Sequence, residues 1–210
     1  MTDRPTLTRR GLLRGLGTAT VVAGCAREPS EPATTAPEPP ADLPAGATAI
    51  GPGPAPLRLQ VNGEARTLEV PPSTTLLVAL RDHLGLRAAK EVCDRGACGA
   101  CMVLVDGEPM NSCMMLAHDG EGRELTTVEG LAPAGELTAL QRQMIAHDGL
   151  QCGFCTPGMV ISATALLRRG GPVDRDAAEQ AIAGNLCRCG SYPHIVAAIV
   201  DAAGQGGTHG

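Results

Sequence analysis

Aromatic residues are almost absent from this sequence. Its 210 residues include one Phe, one Tyr and no Trp, so a hydrophobic core must be built from small aliphatic side chains. So few rings also offer no platform on which nucleic-acid bases could stack. The net charge is −5, and no run of basic residues occurs beyond the N-terminal segment. Both features argue against nucleic-acid binding, which depends on clustered Lys and Arg.

Familiar catalytic motifs are also missing. The sequence contains no Walker loop, no H-E-x-x-H motif and no Ser, His and Asp in the order of a hydrolase triad. Its histidines, at positions 83, 118, 147, 194 and 209, lack the spacing of metal ligands. A Rieske centre, which needs two histidine ligands, is therefore excluded. We expect no complete active site on this chain.

Cysteine, by contrast, is frequent, and a first set of four has a defined spacing. The set comprises Cys93, Cys98, Cys101 and Cys113. Four residues separate the first two and two separate the next pair, which is the plant-type ferredoxin spacing with a distant fourth cysteine. Gly96 and Gly99 suit such a loop, because glycine admits positive φ and lets the backbone approach closely. The spacing predicts a 2Fe-2S site.

A second set of four cysteines lies further along the chain. The set comprises Cys152, Cys155, Cys187 and Cys189. A C-x2-C pair and a C-x-C pair again supply four thiolates from two short turns, which favours a second 2Fe-2S site. Zinc is the alternative, since structural zinc sites also use four thiolates. Zinc ribbons usually carry two C-x2-C pairs, however, and neither set does.

The N-terminal segment has the features of an export signal. Residues 8–14 read T-R-R-G-L-L-R, a twin-arginine pattern, and residues 15–24 form a modestly apolar run without an acidic residue. The twin-arginine route moves folded proteins, so cofactors could be inserted before export. We expect the protein in the periplasm or on the outer face of the cytoplasmic membrane.

Cys25, the ninth cysteine, has two interpretations. It ends the sequence V-A-G-C, which is similar to a lipoprotein processing box, and lipidation there would anchor the chain to a membrane. The alternative is an ordinary signal, either cleaved nearby or retained as an anchor. Residues 26–56 are rich in Pro, Ala, Thr and Glu and predict a disordered tether.

The pattern from residue 57 onward predicts an α+β protein. Leu57–Val61 and Glu64–Val70 read as a hairpin joined by Asn62-Gly63, and residues 75–84 have helical spacing. Further strands are expected at residues 101–105, turning at 106–107, and at 125–128. These elements predict a β-grasp ferredoxin-like domain.

The second half has helical periodicity. Four helices are expected. The first is marked by Leu137, Leu140, Met144 and Ile145, and the second spans 159–167 with Thr156 as N-cap and Pro157 in first position. The third is capped by Asp174, and the fourth spans 194–203. They predict a four-helix bundle with the second cysteine set on turns at one end.

These patterns divide the chain into five parts. The predicted parts are a signal at 1–25, a linker at 26–56, a ferredoxin-like domain at 57–131, a helical 2Fe-2S domain at 132–205 and a disordered tail at 206–210.

Both cysteine sets and their flanks resemble one family. Residues 93–107, the stretch Q-C-G-F-C-T-P-G at 151–158 and G-N-L-C-R-C at 184–189 are similar to the small iron-sulfur subunit of the xanthine oxidase family of molybdenum hydroxylases. The resemblance runs from about residue 57 to about residue 203. Two positions depart from the family pattern. Val92 stands where the family commonly has Gly, and residues 190–192 read G-S-Y where T-G-Y is frequent. These departures leave the subfamily and its substrate undetermined.

This resemblance implies a role in a larger enzyme. A large partner subunit would hold molybdopterin, and single electrons would pass through the helical-domain cluster and then the β-grasp cluster to a flavin (FAD) subunit or a cytochrome. Gln151 would hydrogen-bond the pterin edge, and Cys189 would lie closest to it. A stand-alone ferredoxin-like carrier and a structural zinc-binding adaptor remain as alternatives.

Overall fold

The computed structural model of the protein describes residues 49–133 and 135–205. The predicted twin-arginine signal, Cys25, most of the tether and the tail at 206–210 lie outside the described residues. Within the described ranges, no helix combines the length and the apolar character needed to span a membrane.

Five strands form one mixed sheet. They are β1 (Ala55–Val61), β2 (Glu64–Val70), β3 (Met102–Val105), β4 (Glu108–Asn111) and β5 (Glu124–Thr126). The order across the sheet is β2-β1-β5-β3-β4, in which β1 and β5 run parallel and the other neighbours run antiparallel. The predicted strand at 125–128 is shorter than expected, because the chain turns into a 3-10 helix at Val128–Gly130.

Two tight turns of the same kind shape this sheet. Asn62 and Gly63 connect β1 to β2 with φ of 54° and 77°, and Asp106 and Gly107 connect β3 to β4 with φ of 51° and 86°. Positive φ at both central residues is the requirement of a type I′ turn. Both predicted turns are therefore confirmed.

A short helix packs against the sheet through leucine side chains. Helix α1 (Leu76–Val78), capped by Thr75, continues directly into a π-helical turn, Ala79–His83. The largest fully buried side chains of this half are all leucines: Leu57, Leu59, Leu76, Leu77, Leu80, Leu104 and Leu125. The core is aliphatic, as the scarcity of aromatic residues predicted.

The second half contains four helices. They are α2 (Ala139–Ala146), α3 (Thr156–Arg169), α4 (Arg175–Ala181) and α5 (Tyr192–Gln205). Thr138 and Gln141 form a capping box at the start of α2, and Asp174 caps α4 through the N–H of Ala177, as predicted. The α+β class is confirmed.

Two details of the helical prediction were wrong. Cys155, not Thr156, is the N-cap of α3, because the carbonyl of Cys155 accepts the N–H of Met159 at 3.1 Å. Leu140 and Met144 of α2 are buried, but Ile145 is 58% exposed, and Leu137, which precedes the helix, is 43% exposed. The buried face of α2 is therefore narrower than the apolar periodicity suggested.

The two halves meet along a tightly packed junction. Leu104 of β3 packs with Ile161 and Ala165 of α3 in a small buried cluster. Close to it, the side chain of Asn185 donates to the carbonyl of Gly99 at 3.1 Å and accepts from Ser162 at 2.8 Å. A sheet-side loop and a helical-side loop are thus held together by a buried polar network.

Candidate metal centres

The first cysteine set lies in a loop that is tightened by left-handed residues. Gly96 and Gly99 have φ of 71° and 68°, as expected from their place between the cysteines. The ends of the loop are fixed by backbone bonds, since Lys90 donates to Ala100 at 2.9 Å and Met102 donates to Gly99 at 3.2 Å. The loop geometry is thus set by the backbone of the chain itself.

The four thiols of this set are arranged two by two. Cys98 forms a hydrogen bond to Cys93, and Cys113 forms one with Cys101. Cys98, Cys101 and Cys113 are buried, whereas Cys93 is partly exposed. Three of the four thiols come from the loop at residues 93–101, and the fourth, on Cys113, comes from the 3-10 helix Ser112–Met114 after β4.

Hydrogen bonds and burial act in opposite directions on these thiols. The backbone N–H of Arg95, followed by the thiol of Cys98, lowers the pKa of Cys93 to about 7. Burial raises the pKa of Cys113 to about 11, although the N–H of Gly96 donates to its sulfur at 3.3 Å. The loop therefore provides N–H donors to sulfurs that would carry negative charge as metal ligands.

The second set shows the same pairing. Cys152 accepts a hydrogen bond from Cys189, and Cys155 pairs with Cys187. Cys152 and Cys189 are exposed, and the other two are partly buried. Gly153, between the first two cysteines, has φ of 76°. Each thiol pair thus joins the turn before α3 to the turn before α5.

Local N–H groups also act on the second set. The N–H of Phe154 is the main cause that lowers the pKa of Cys152. Burial raises the pKa of Cys155 to about 12. Burial also acts to raise the pKa of Cys187, but the N–H of Ser191 and the Cys155 thiol outweigh it, and the net shift is downward.

The grouping of the thiols bears on the kind of metal centre that each set could hold. Within the described residues, no three side chains of His, Cys, Asp or Glu are grouped in the way that a single ion requires. A structural zinc site needs four ligands around one point. A 2Fe-2S cluster spreads its four cysteine ligands over two irons, and the contacts within each set, which also link its two thiol pairs to each other, fit a group of that size.

Orphaned polar atoms support the fit at the second set. Thr156 Oγ1 and Ser191 Oγ are buried and have no hydrogen-bond partner among the residues that the structure describes. Thr156 directly follows Cys155, and the backbone N–H of Ser191 acts to lower the pKa of Cys187. Buried hydroxyls are normally paired. Two unpaired donors beside these thiols are therefore consistent with a group that carries acceptor sulfurs.

The two cysteine sets are neighbours in space. The N–H of Leu186 donates to the carbonyl of Cys98 at 2.9 Å, and Leu186 directly precedes Cys187. A cavity of about 380 Å³ is lined by residues of both sets, among them Cys98, Cys152, Cys155 and Cys187. The backbone of the first site is thus hydrogen-bonded to the backbone of the second.

Sequence reasoning did not identify the residues that hold the two sites together. Asn185 was seen only as part of a flanking motif, and Ser162 lies in the middle of α3 without a distinguishing pattern. Gly158 was likewise seen only as the last residue of a flanking motif, although a Cβ on it would lie 2.1 Å from the carbonyl oxygen of Gly99. Its position next to Pro157, in the first turn of a helix, was the one available signal.

Comparison with known proteins covers both halves. Residues 59–132 match the family of the 2Fe-2S iron-sulfur cluster binding domain, and residues 127–200 match that of the 2Fe-2S binding domain. The aldehyde oxidoreductase iron-sulfur-binding subunit PaoA of Escherichia coli O157:H7 is 46% identical over 165 residues, 71% of this chain and 72% of that protein. The chain is an iron-sulfur subunit of the xanthine oxidase family of molybdenum hydroxylases.

Further relatives of this subunit agree with the assignment. The nicotine 6-hydroxylase small subunit of Paenarthrobacter nicotinovorans is 44% identical over 147 residues, which cover 70% of this chain and 88% of that protein. The crystal structure of quinoline 2-oxidoreductase from Pseudomonas putida 86 contains a chain that is 41% identical, with a TM-score of 0.70. The match covers 73% of this chain and 96% of that one.

Family membership establishes the role in outline. The subunit carries two 2Fe-2S binding domains and serves electron transfer within an oxidoreductase complex. In this family the molybdopterin belongs to a partner subunit. The predicted family, electron-transfer function and cofactors are therefore confirmed, while the roles of individual residues remain predictions.

Proposed function

We propose that the eight paired cysteines are the cluster ligands of this subunit. Cys93, Cys98, Cys101 and Cys113 hold the first cluster, and Cys152, Cys155, Cys187 and Cys189 hold the second. The carrying observation is that each half brings four thiols together and matches a family of 2Fe-2S binding domains. A fully thiolate-ligated 2Fe-2S cluster supplies one-electron transfer and has no open position for substrate.

The second site is the proposed contact with the molybdopterin of the large subunit. Gln151 and Cys189 are exposed, and they carry the proposed pterin hydrogen bond and closest approach. Two large apolar side chains line the cavity at this site and are exposed: Phe154 at 51% and Leu186 at 59%. An exposed apolar patch of this kind indicates a partner surface, which a stand-alone ferredoxin-like carrier would not need.

The first cluster is then proposed to be the one from which electrons leave the subunit. The hydrogen bond between Leu186 and Cys98 gives a short connection from the second site to the first. We propose a FAD subunit or a cytochrome as the acceptor beyond the first site. The exposed side chain of Met114, 65% accessible and next to Cys113, lies where such an acceptor would dock.

We infer the finer architecture from the shared cores. The first half is proposed to be a β-grasp domain. Helix α1 and four of the five strands, β1, β2, β3 and β5, share one aliphatic core. Helices α2 to α5 are proposed to form a four-helix bundle. Buried residues from each of them, such as Met144, Met159, Ala178 and Ile195, belong to one cluster.

Export is the remaining part of the proposal. The twin-arginine pattern at residues 8–14 supports a periplasmic location or one on the outer face of the cytoplasmic membrane. Lipidation of Cys25 would attach the complex to that membrane. An exported complex could pass its electrons to a cytochrome, which is why that acceptor is kept beside FAD.

The deciding experiment is metal and sulfide analysis of the protein purified without oxygen, followed by low-temperature EPR of the reduced form. We expect about four irons and four acid-labile sulfides per chain and two distinct spectra. Zinc in place of iron, with a colourless protein and no EPR signal, would support the structural zinc adaptor and overturn the proposal.

A further inference from the structure

Ser191 has a buried hydroxyl for which the described residues provide no hydrogen-bond partner. The residue is 1% exposed and lies at the start of α5, where its carbonyl accepts the N–H of Ile195 at 3.0 Å. It therefore occupies the N-cap position, from which a serine Oγ normally accepts a backbone N–H of the first turn. Its Oγ makes no such bond. An unpaired buried hydroxyl is costly, so a partner other than the described residues is indicated.

The surroundings of Ser191 show where that partner would lie. Ser191 lies two residues after Cys189 and directly before Tyr192, whose hydroxyl accepts the N–H of Cys187 at 2.8 Å. Its backbone N–H also acts to lower the pKa of Cys187, so the Ser191 hydroxyl belongs to the immediate environment of the second site. The other orphaned hydroxyl of the helical half, on Thr156, follows Cys155, and Cys155 is the thiol partner of Cys187. Both unpaired hydroxyls thus flank one thiol pair.

We propose that the Ser191 hydroxyl donates a hydrogen bond to a sulfur of the second cluster and raises the reduction potential of that cluster. This inference rests on the proposed ligand set. Reduction makes the cluster more negative, so a donor directed at one of its sulfurs stabilises the reduced form more than the oxidised form. Ser191 is a positioning residue that tunes the site and is not one of its ligands.

The test uses the full chain with its clusters and compares three variants. Ser191→Ala removes the hydroxyl, Ser191→Thr retains one, and Ser112→Ala is the matched control. Ser112 is also buried and lies next to a proposed ligand, Cys113, but its Oγ already donates to the carbonyl of Cys101 at 2.7 Å. Each protein is titrated redox-potentiometrically, with EPR following the two clusters separately.

We expect S191A to lower the potential of one cluster and leave the other unchanged. A tenfold change in the ratio of reduced to oxidised cluster at a fixed potential is expected, which corresponds to about 59 mV for one electron. S191T should restore most of the shift, and S112A should not alter the potential of the cluster that S191A affects. Ser191→Gly provides a second variant without the hydroxyl, to be used if S191A incorporates its clusters poorly.

Two negative results are distinguishable. If S191A and S191G retain both clusters at wild-type potentials, the hydroxyl is satisfied by water and this inference is overturned while the proposed function stands. If the wild-type protein contains no iron or labile sulfide, the proposed function fails, and the inference fails with it.

Discussion

The backbone N–H of Leu186 donates to the carbonyl of Cys98 at 2.9 Å. Cys98 is a proposed ligand of the first cluster, and Leu186 precedes Cys187, a proposed ligand of the second. These residues come from different halves of the molecule, so the bond fixes the two sites relative to each other. Electron transfer between clusters depends on such fixed proximity. The packing around this bond is therefore where substitutions should affect function without touching a ligand.

The closest packing occurs at Gly158, and Gly158→Ala should disrupt it. A Cβ there would lie 2.1 Å from the Gly99 carbonyl oxygen and 3.0 Å from Nδ2 of Asn185. Because the first of these is a backbone atom, it cannot move aside as a flexible side chain would. Overpacking typically costs about 1–3 kcal/mol. We expect a loss of at least that size in the free energy of unfolding, measured by denaturant titration of the cluster-loaded protein.

Gly184→Ala is the matched control for this prediction. A Cβ on Gly184 would meet only the Cε atom of Met102, at an ordinary contact distance of 3.7 Å. Its stability should stay within about 0.5 kcal/mol of wild type. Equal stability of the two alanine variants would show that the contact between Gly158 and Gly99 is not as tight as described.

Asn185 should be the most sensitive polar residue at the junction. It is 2% exposed, donates to the Gly99 carbonyl and accepts from the Ser162 hydroxyl. Asn185→Leu removes the oxygen acceptor of the Ser162 hydroxyl, which keeps only the Met102 sulfur at 2.8 Å. It also removes one of the two donors to the Gly99 carbonyl, which keeps the N–H of Met102. Loss of a buried hydrogen-bond partner costs about 1–3 kcal/mol. We expect a lower melting temperature and faster loss of visible absorbance on addition of an iron chelator.

Gln180→Ala serves as the control for Asn185→Leu, since it also removes a side-chain amide but from an exposed position on α4. It should leave both the melting temperature and the rate of bleaching close to wild type. Wild-type behaviour of the Asn185 variant would mean that the polar network does not hold the halves together.

Single ligand substitutions should remove one cluster at a time. Cys113→Ala removes a thiol from the first set and Cys155→Ala removes one from the second. Each variant should fall from about four irons per chain to about two, and each should lose a different EPR spectrum. Loss of the same spectrum from both variants would contradict the assignment of the cysteines to two separate sites.

The sequence was informative wherever the deciding interaction is local. Asn62-Gly63 and Asp106-Gly107 specify their turns through the φ angles of two residues, and both were predicted correctly. The spacing of the cysteines likewise reflects the geometry of one loop. Thr156 was misplaced because Thr before Pro is a common N-cap pattern, while the observed helix begins one residue earlier at Cys155.

Long-range contacts could not be predicted in this way. Asn185 and Gly99 are 86 positions apart in the sequence. Their hydrogen bond exists only because the helical half packs beside the first cysteine loop. The same holds for Gly158, whose lack of a side chain matters only against a carbonyl from the other half. A single sequence shows a polar residue and a small residue there, and nothing in the local pattern indicates their partners.

Tyr192 supports the second site through its hydroxyl, and Tyr192→Phe should weaken that site alone. The hydroxyl accepts the N–H of Cys187 at 2.8 Å and donates to the carbonyl of Asn185 at 2.9 Å. Phe preserves the ring but leaves two backbone groups of the ligand turn unpaired, at a cost of about 1–3 kcal/mol for each that stays buried. We expect the second EPR spectrum to broaden and to disappear first when the protein is warmed, with the first spectrum unchanged.

The hydrogen bonds of Tyr192 also explain why the effect should be confined to one site. Both of its partners lie in residues 185–187, between the junction and the second thiol pair, and neither belongs to the loop at 93–101. His194→Ala, which removes a nearby exposed side chain from the same helix, is the control and should leave both spectra intact. If Tyr192→Phe affected both spectra equally, the hydroxyl would act on the junction as a whole, and the two sites would have to be treated as a single cooperative unit.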